Sequence, residues 1–333
     1  MKSTAQIMIL SLLICSTACN EPMFGYKYST GSLPTTPISL SDFNTEFDDY
    51  NSTAPSLGEL IPFCFSTNRG SNGSKYDIIY QPMNVNFDKT LGELKVTNEY
   101  ANWETRREDY DIIQKGLFKI KTNRNEFGPN LVAEYSSDEY NFTLLYSSDI
   151  TGNSQINFIS NITNEDFSEP KEVAFLNSDF EDMYPTFNTD KSKIYFCSDR
   201  DGKKFDFYYV NVNPGADTES LLSENVDYEI LTDHFLSSSS DDKCPFIFED
   251  KMVFASNRDG GFGGYDLYYS NLENGEWGEP INFGEKINTE SDEYRPILIN
   301  EGVSREQTMM VFSSDRPGGL GGFDLYYVGI ESE

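Results

Sequence analysis

Short runs dominated by apolar and aromatic residues recur along the chain, and each is bounded by Gly, Asn, Asp or Ser. MVFASNR ends at Arg258, MVFSSDR at Arg316 and IYFCSDR at Arg200, with looser copies CFSTNR ending at Arg69 and LLYSSDI ending at Ile150. Each is followed by a second run: YDIIY from Tyr76, INFIS from Ile156, FDFYY from Phe205, YDLYY from Tyr265 and FDLYY from Phe323. Paired short runs of this composition, joined by Gly, Asn and Asp, predict β-hairpins. The loops RDGGFGGYD from Arg258 and RPGGLGGFD from Arg316 could suggest phosphate cradles. No helix-period segment follows them, so the glycines predict turns instead.

A third element precedes each hairpin. INTESDEYRP ends at Pro296 and LNSDFEDMYP at Pro185, with Asn288 and Asn177 upstream, and the extended runs at Pro280 and Pro170 lie before those asparagines. One unit is therefore about 50 to 60 residues with four strands, which suits a propeller blade. Five hairpins predict five blades. The last blade lacks one strand at the C-terminal end, and PISLSDFNTEFDD from Pro37 parallels PINFGEKINTESDE from Pro280. The expected fold is all-β: a five-bladed β-propeller over residues 35–333, closed by an N-terminal strand near Pro37 to Leu40. Closure of this kind removes open sheet edges.

The motifs F-[SAC]-S-[DN]-R and G-G-x-G-G-x-D-L-Y-Y resemble the TolB-like β-propeller repeat of bacterial envelope proteins, especially Bacteroidota lipoproteins. The resemblance covers nearly all of the chain after its leader and implies a platform for protein interaction rather than catalysis. The alternative is a carbohydrate-binding or glycoside-hydrolase-type five-bladed propeller, which would need a singular, asymmetric carboxylate pair with one member desolvated.

Composition narrows the partners. With 25 Phe, 21 Tyr, 24 Gly and 14 Pro the chain is β-prone, and a net charge of −30 disfavours nucleic acid. A single histidine, His234, makes histidine-based metal sites or general bases improbable. The N-terminus MKSTAQIMILSLLICSTACNEP has a positive start and an apolar run too short to span a bilayer, followed by small residues before Cys19. This predicts a lipoprotein signal peptide over 1–18, an acylated Cys19 in a tether over 19–34, and an outer-membrane location. Cys64, Cys197 and Cys244 match no zinc spacing and are expected to be small buried hydrophobes.

Three sets of residues are candidates for a role. Four units pair the arginine ending the first run with the aspartate opening the second: Arg69 with Asp77, Arg200 with Asp206, Arg258 with Asp266, and Arg316 with Asp324. The second unit has Ile150 and Gln155 in their place, and joint presence with joint loss predicts a repeated ion pair. Acidic doublets before the prolines place Asp49, Glu126, Asp182, Asp242 and Glu293 where the chain enters each innermost strand. Converging on one channel mouth, they would focus negative potential and take a basic segment of an envelope protein partner or a hard cation such as Ca²⁺. Finally, an insertion over about 81–115 breaks the period and carries Trp103, Arg106 and Arg107. A segment the fold does not require is a candidate for partner binding.

Overall fold

The computed structural model describes residues 27–55, 61–98, 107–136, 139–163, 166–300 and 307–331. Five antiparallel sheets follow one another around an axis. Strand β1 (Ile38–Ser39) comes first. Blade 1 is β2 (Asp49–Thr53), β3 (Ile61–Thr67), β4 (Asp77–Asp88) and β5 (Glu93–Thr97). Helix α1 (Arg107–Ile120) leads into blade 2: β6 (Glu126–Ser136), β7 (Glu139–Ser148), β8 (Gln155–Ser160) and β9 (Lys171–Glu172). Blade 3 is β10 (Asp182–Phe187), β11 (Lys193–Ser198), β12 (Asp206–Asn211) and, after the short helix α2 (Thr218–Leu222), β13 (Leu231–Thr232). Blade 4 is β14 (Asp242–Phe248), β15 (Lys251–Ser256) and β16 (Asp266–Glu273), with β17 (Glu276–Trp277) and β18 (Ile281–Asn282) both on β16. Blade 5 is β19 (Glu293–Ile299), β20 (Gln307–Ser314) and β21 (Asp324–Glu331).

The expected closure is present. Strand β1 pairs with β21 through Ile38 with Tyr327 and Ser39 with Tyr326, so one sheet contains both ends of the propeller. The core lies between blades, where the buried middle strands supply Phe63, Phe65, Phe142, Phe196, Phe254 and Phe312. Cys64, Cys197 and Cys244 are free and buried among these layers, as expected of small apolar side chains. The insertion becomes β5 and α1. Ile113, Leu117 and Ile120 of α1 pack with Tyr80, Phe142 and Phe167, so α1 covers the junction of blades 1 and 2. Trp103 and Arg106 lie outside the described residues, and Arg107 opens α1.

Each innermost strand is bulged at the same place. The register shifts after Tyr50, Phe127, Met183, Lys243 and Tyr294. The next residue then has positive φ: Asn51 52°, Gly128 60°, Tyr184 55°, Cys244 57° and Arg295 46°. Four of these five are not glycine, so the fold over-determines a costly conformation. The bulge re-aims the third side chain of the strand, as bulges commonly do.

Candidate functional site at the axial mouth

The acidic doublets are the joints of the ring. The first member of each accepts a backbone N–H from the preceding blade. Asp48 takes Phe323 at 3.0 Å, Asn125 takes Tyr76 at 2.9 Å and Glu181 takes Ser154 at 2.9 Å. Asp241 takes Phe205 at 2.9 Å and Asp292 takes Tyr265 at 2.7 Å. The amide of the second member donates back to the carbonyl of the same residue at 2.7–3.0 Å in all five seams. The aspartate or asparagine of the S-[DN]-R motif holds the doublet in place. Asn68, Asp149, Asp199, Asn257 and Asp315 accept the N–H of the doublet's first residue at 2.8–3.0 Å.

The second members do not line a charged channel mouth, which corrects that expectation. Asp49, Glu126, Asp182, Asp242 and Glu293 are at most 1% exposed. Four of them bind the motif arginine of their own blade. Arg69 Nη2 lies 2.5 Å from Asp49, Arg200 Nη2 2.5 Å from Asp182, Arg258 Nη2 2.6 Å from Asp242 and Arg316 Nη2 3.0 Å from Glu293. Each Nη2 also donates to a carbonyl, those of Phe43, Leu176, Leu236 and Ile287. The repeated ion pair therefore exists with a different acid. Asp77 pairs with Lys75 and Lys121, and Asp206 with Lys204. Asp266 and Asp324 accept loop N–H groups from Phe262 and Gly263, and from Leu320 and Gly321. A buried carboxylate needs a cation or several donors, and the innermost acid is the buried partner that a guanidinium neutralises.

With the carboxylates consumed, the mouth is aromatic. Tyr76 and Tyr50 have ring centroids 4.8 Å apart, Tyr50 and Phe323 5.9 Å, Phe323 and Tyr294 6.4 Å, and Tyr294 and Tyr265 5.3 Å. Lys243 continues the arc, with Nζ 5.6 Å from the Tyr265 ring and 3.9 Å from that of Phe205. All of these side chains are half-buried. Two sets of positions supply them: the residue just before the third strand of a blade and the second residue of the innermost strand. In blade 2 Ser154 stands in place of the aromatic ring before the third strand, while Phe127 holds the innermost-strand position. Burial raises the phenols of Tyr50 and Tyr294 well above their ordinary range, so both remain neutral donors.

Below the arc the axis is closed. Arg295, 0% exposed, reaches from blade 5 and donates Nη1 to the Pro245 carbonyl at 3.2 Å and Nη2 to the Pro129 carbonyl at 3.0 Å. Its guanidinium lies 5.3 Å from the ring of Tyr184, whose hydroxyl accepts from Asn51 at 3.1 Å. No carboxylate pairs with Arg295 among the described residues, and burial lowers its affinity for its proton. Arg295 thus closes the axis beneath the aromatic side chains. On the far side of the plug lies an apolar pocket of about 240 Å³ lined by Ala54, Leu131, Phe187, Phe246, Ile247 and Leu298, among others.

Two rim carboxylates differ from the rest. Asp48 uses both oxygens, on Phe323 and on Tyr76 and Asn68. Asp241 also uses both, on Phe205 and Tyr265. Glu181 and Asp292, both half-buried, each accept through one oxygen, and among the described residues the other oxygen accepts nothing. The arrangement offers apolar ring faces flanked by carboxylates. Among the described residues no cluster of three or more His, Cys, Asp or Glu side chains that could hold a metal ion occurs.

No family model matches the chain, and no curated protein does. Solved structures do. The GH43 protein BlXynB from Bacillus licheniformis, in a mutant form, aligns with TM-score 0.50 and 12% identity over 89% of this chain and 55% of that one. An exo-β-1,3-galactanase from Phanerochaete chrysosporium aligns with TM-score 0.49 and 10% identity over 89% and 64%. An α-L-arabinofuranosidase from Lactobacillus brevis aligns with TM-score 0.47 and 8% identity over 89% and 95%. The chain spans little more than half the length of the BlXynB structure. At such identity the likeness shows the fold, a five-bladed propeller. It also corrects the expectation of a non-enzymatic interaction scaffold: the neighbours reported are carbohydrate-active proteins, not TolB-like ones, and the fold gives no reason to set catalysis aside.

Proposed function

We propose that this chain is a carbohydrate-active five-bladed propeller of the glycoside-hydrolase type, holding a glycan at its axial mouth. The observation that supports this best is the aromatic arc at a mouth whose axis Arg295 closes. A sugar ring has an apolar C–H face and polar edges. Ring faces such as Tyr50, Tyr265 and Tyr294 match the first, and carboxylates and phenolic hydroxyls match the second. Binding sites are mostly concave and aromatic, with a few placed polar groups. Glu181 and Asp292 suit a two-carboxylate hydrolysis, in which one acid protonates the leaving oxygen and the other activates water. The likeness in fold to the GH43 protein BlXynB supports the same class.

A screen of plant and host polysaccharides tests this, with binding and release of reducing ends as readouts. Tyr294→Ala should weaken binding. Glu181→Gln or Asp292→Asn should lower hydrolysis by about 10²–10⁴-fold while leaving binding in place. A protein that neither binds nor cleaves any glycan, or whose binding ignores Tyr294→Ala, would remove the proposal. The N-terminal segment and its Cys19, outside the described residues, support placing this activity at the outer membrane on a lipid anchor.

A further inference from the structure

Blade 2 keeps the acid and loses the arginine. In the other four blades the acid lies six residues after the carbonyl that shares its guanidinium: Phe43 and Asp49, Leu176 and Asp182, Leu236 and Asp242, Ile287 and Glu293. Blade 2 repeats that spacing with Ile120 and Glu126, and Thr122 donates its hydroxyl to Glu126 as Thr45 does to Asp49. Where the arginine would stand is Ile150, which is exposed. The consequence is visible at Glu126: the side chain is buried, and its Oε2 has no hydrogen-bond partner. Beside it a pocket of about 100 Å³ opens between the start of β4, the end of α1 and the start of β6, lined by Asp77, Gln114, Ile120, Lys121 and Glu126, among others.

We propose that this pocket is a guanidinium site, in which a guanidinium-bearing ligand donates to the Glu126 carboxylate and the Ile120 carbonyl as the motif arginines do in their own blades. The chain thus displays the shape of the missing ligand four times. In each motif arginine Nη2 serves both the carboxylate and the carbonyl while Nε donates to a serine or threonine hydroxyl, so the planar fork spans three acceptors where an ammonium is a single point charge. Glutamate serves as well as aspartate, since Arg316 binds Glu293 in the same way. Asp77 and Lys75 at this junction correspond to Asp206 and Lys204 at the junction of blades 3 and 4, where Arg258 is accommodated. The site is separate from the glycan mouth, so it stands or falls independently of the proposed activity.

Titration calorimetry of the purified protein with methylguanidinium and agmatine tests the proposal, with n-butylamine as the control. Saturable binding of both guanidinium compounds is expected, with n-butylamine at least about ten-fold weaker because its single nitrogen lacks the guanidinium's planar, multi-nitrogen reach. A peptide with one arginine distinguishes a side-chain ligand from a free small molecule: the peptide binding better than agmatine points to the former, agmatine binding better to the latter. Glu126→Gln should abolish saturation. Ile150→Arg supplies the guanidinium in cis, and should block binding while raising the melting temperature. Equal binding by n-butylamine, full binding by Glu126→Gln, or undiminished binding by a folded Ile150→Arg would each overturn the assignment.

Discussion

Asn44 and Leu325, 281 positions apart, hydrogen-bond to each other twice: Asn44 Nδ2 donates to the Leu325 carbonyl at 2.9 Å, and Leu325 N–H donates to Asn44 Oδ1 at 2.8 Å. The side-chain amide extends the β1–β21 ladder by one rung and locks the two ends of the chain together. Asn177 does the same with Ile156, and Asn288 with Leu267, at seams that no chain terminus crosses. Asn44→Ala would strand the buried Leu325 N–H, at a cost of about 1–3 kcal/mol. Removing residues through Asn44 should lower the stability of the whole domain in a single cooperative transition. Denaturant melts followed by fluorescence check this, and a truncated protein that melts like its parent would mean the closure carries no load.

The arginine and the innermost acid form a unit. Arg200→Met removes the cation from a fully buried Asp182 and should cost about 3–5 kcal/mol, because an unpaired buried charge is left behind. Asp182→Asn in the same background should recover part of that loss. Asp206→Asn should cost less, since its partner Lys204 is partly exposed and can turn its ammonium to solvent. Equal losses for Asp182→Asn and Asp206→Asn in otherwise unaltered protein would contradict the pairing seen here.

Acid–base behaviour should differ at blade 2. Burial raises the Glu126 carboxyl above the usual range, and Asp77 adds to this. The Thr122 hydrogen bonds and Lys75 oppose it, Lys121 faces it across the pocket, and Tyr146 lies close enough to feel its charge. A carboxyl whose folded value lies above its unfolded value favours folding while protonated. That contribution is complete below the unfolded value and is lost as pH rises through the folded one. Glu126→Gln cannot ionise, so its melting temperature should gain on that of the parent as pH increases from about 4.3, the ordinary glutamate value. A pH-independent difference between the two would exclude a raised carboxyl.

The proposed lipid anchor at Cys19 makes its own prediction. Cys19→Ala should move the protein from the membrane fraction to the soluble fraction, because several acyl chains hold firmly where one does not. Immunoblots of fractionated cells decide the matter, and a membrane-bound mutant would require another tether.

The blade count and the strand exchange were legible because hairpin signals and turn residues are local, and because β1 repeats a motif found before blade 5. The partner of the arginine was not. Asp77 and Asp49 are the same residue type and both are buried, so neither charge nor composition says which of them meets the guanidinium. A usable signal exists four residues upstream, where Thr45, Thr122, Ser178, Ser238 and Thr289 each precede the innermost acid. A hydroxyl at that spacing marks a carboxylate turned back onto its own loop, not out to solvent. The aromatic arc was harder to foresee. Its rings come from two strand positions in four blades, and only the bulge after Tyr50 or Tyr294 shows that they meet.

The plug at Arg295 gives the molecule one-way-in, one-way-out traffic. A propeller with a clear bore would let a molecule enter at one face and leave at the other. Here the guanidinium of blade 5 rests on carbonyls of blades 2 and 4, so nothing can thread the centre without breaking both bonds. A molecule held at the proposed glycan mouth would therefore have to enter and leave past Tyr50 and Tyr294. The pocket around Leu131 and Phe246 is meanwhile a separate vestibule, open to a different clientele.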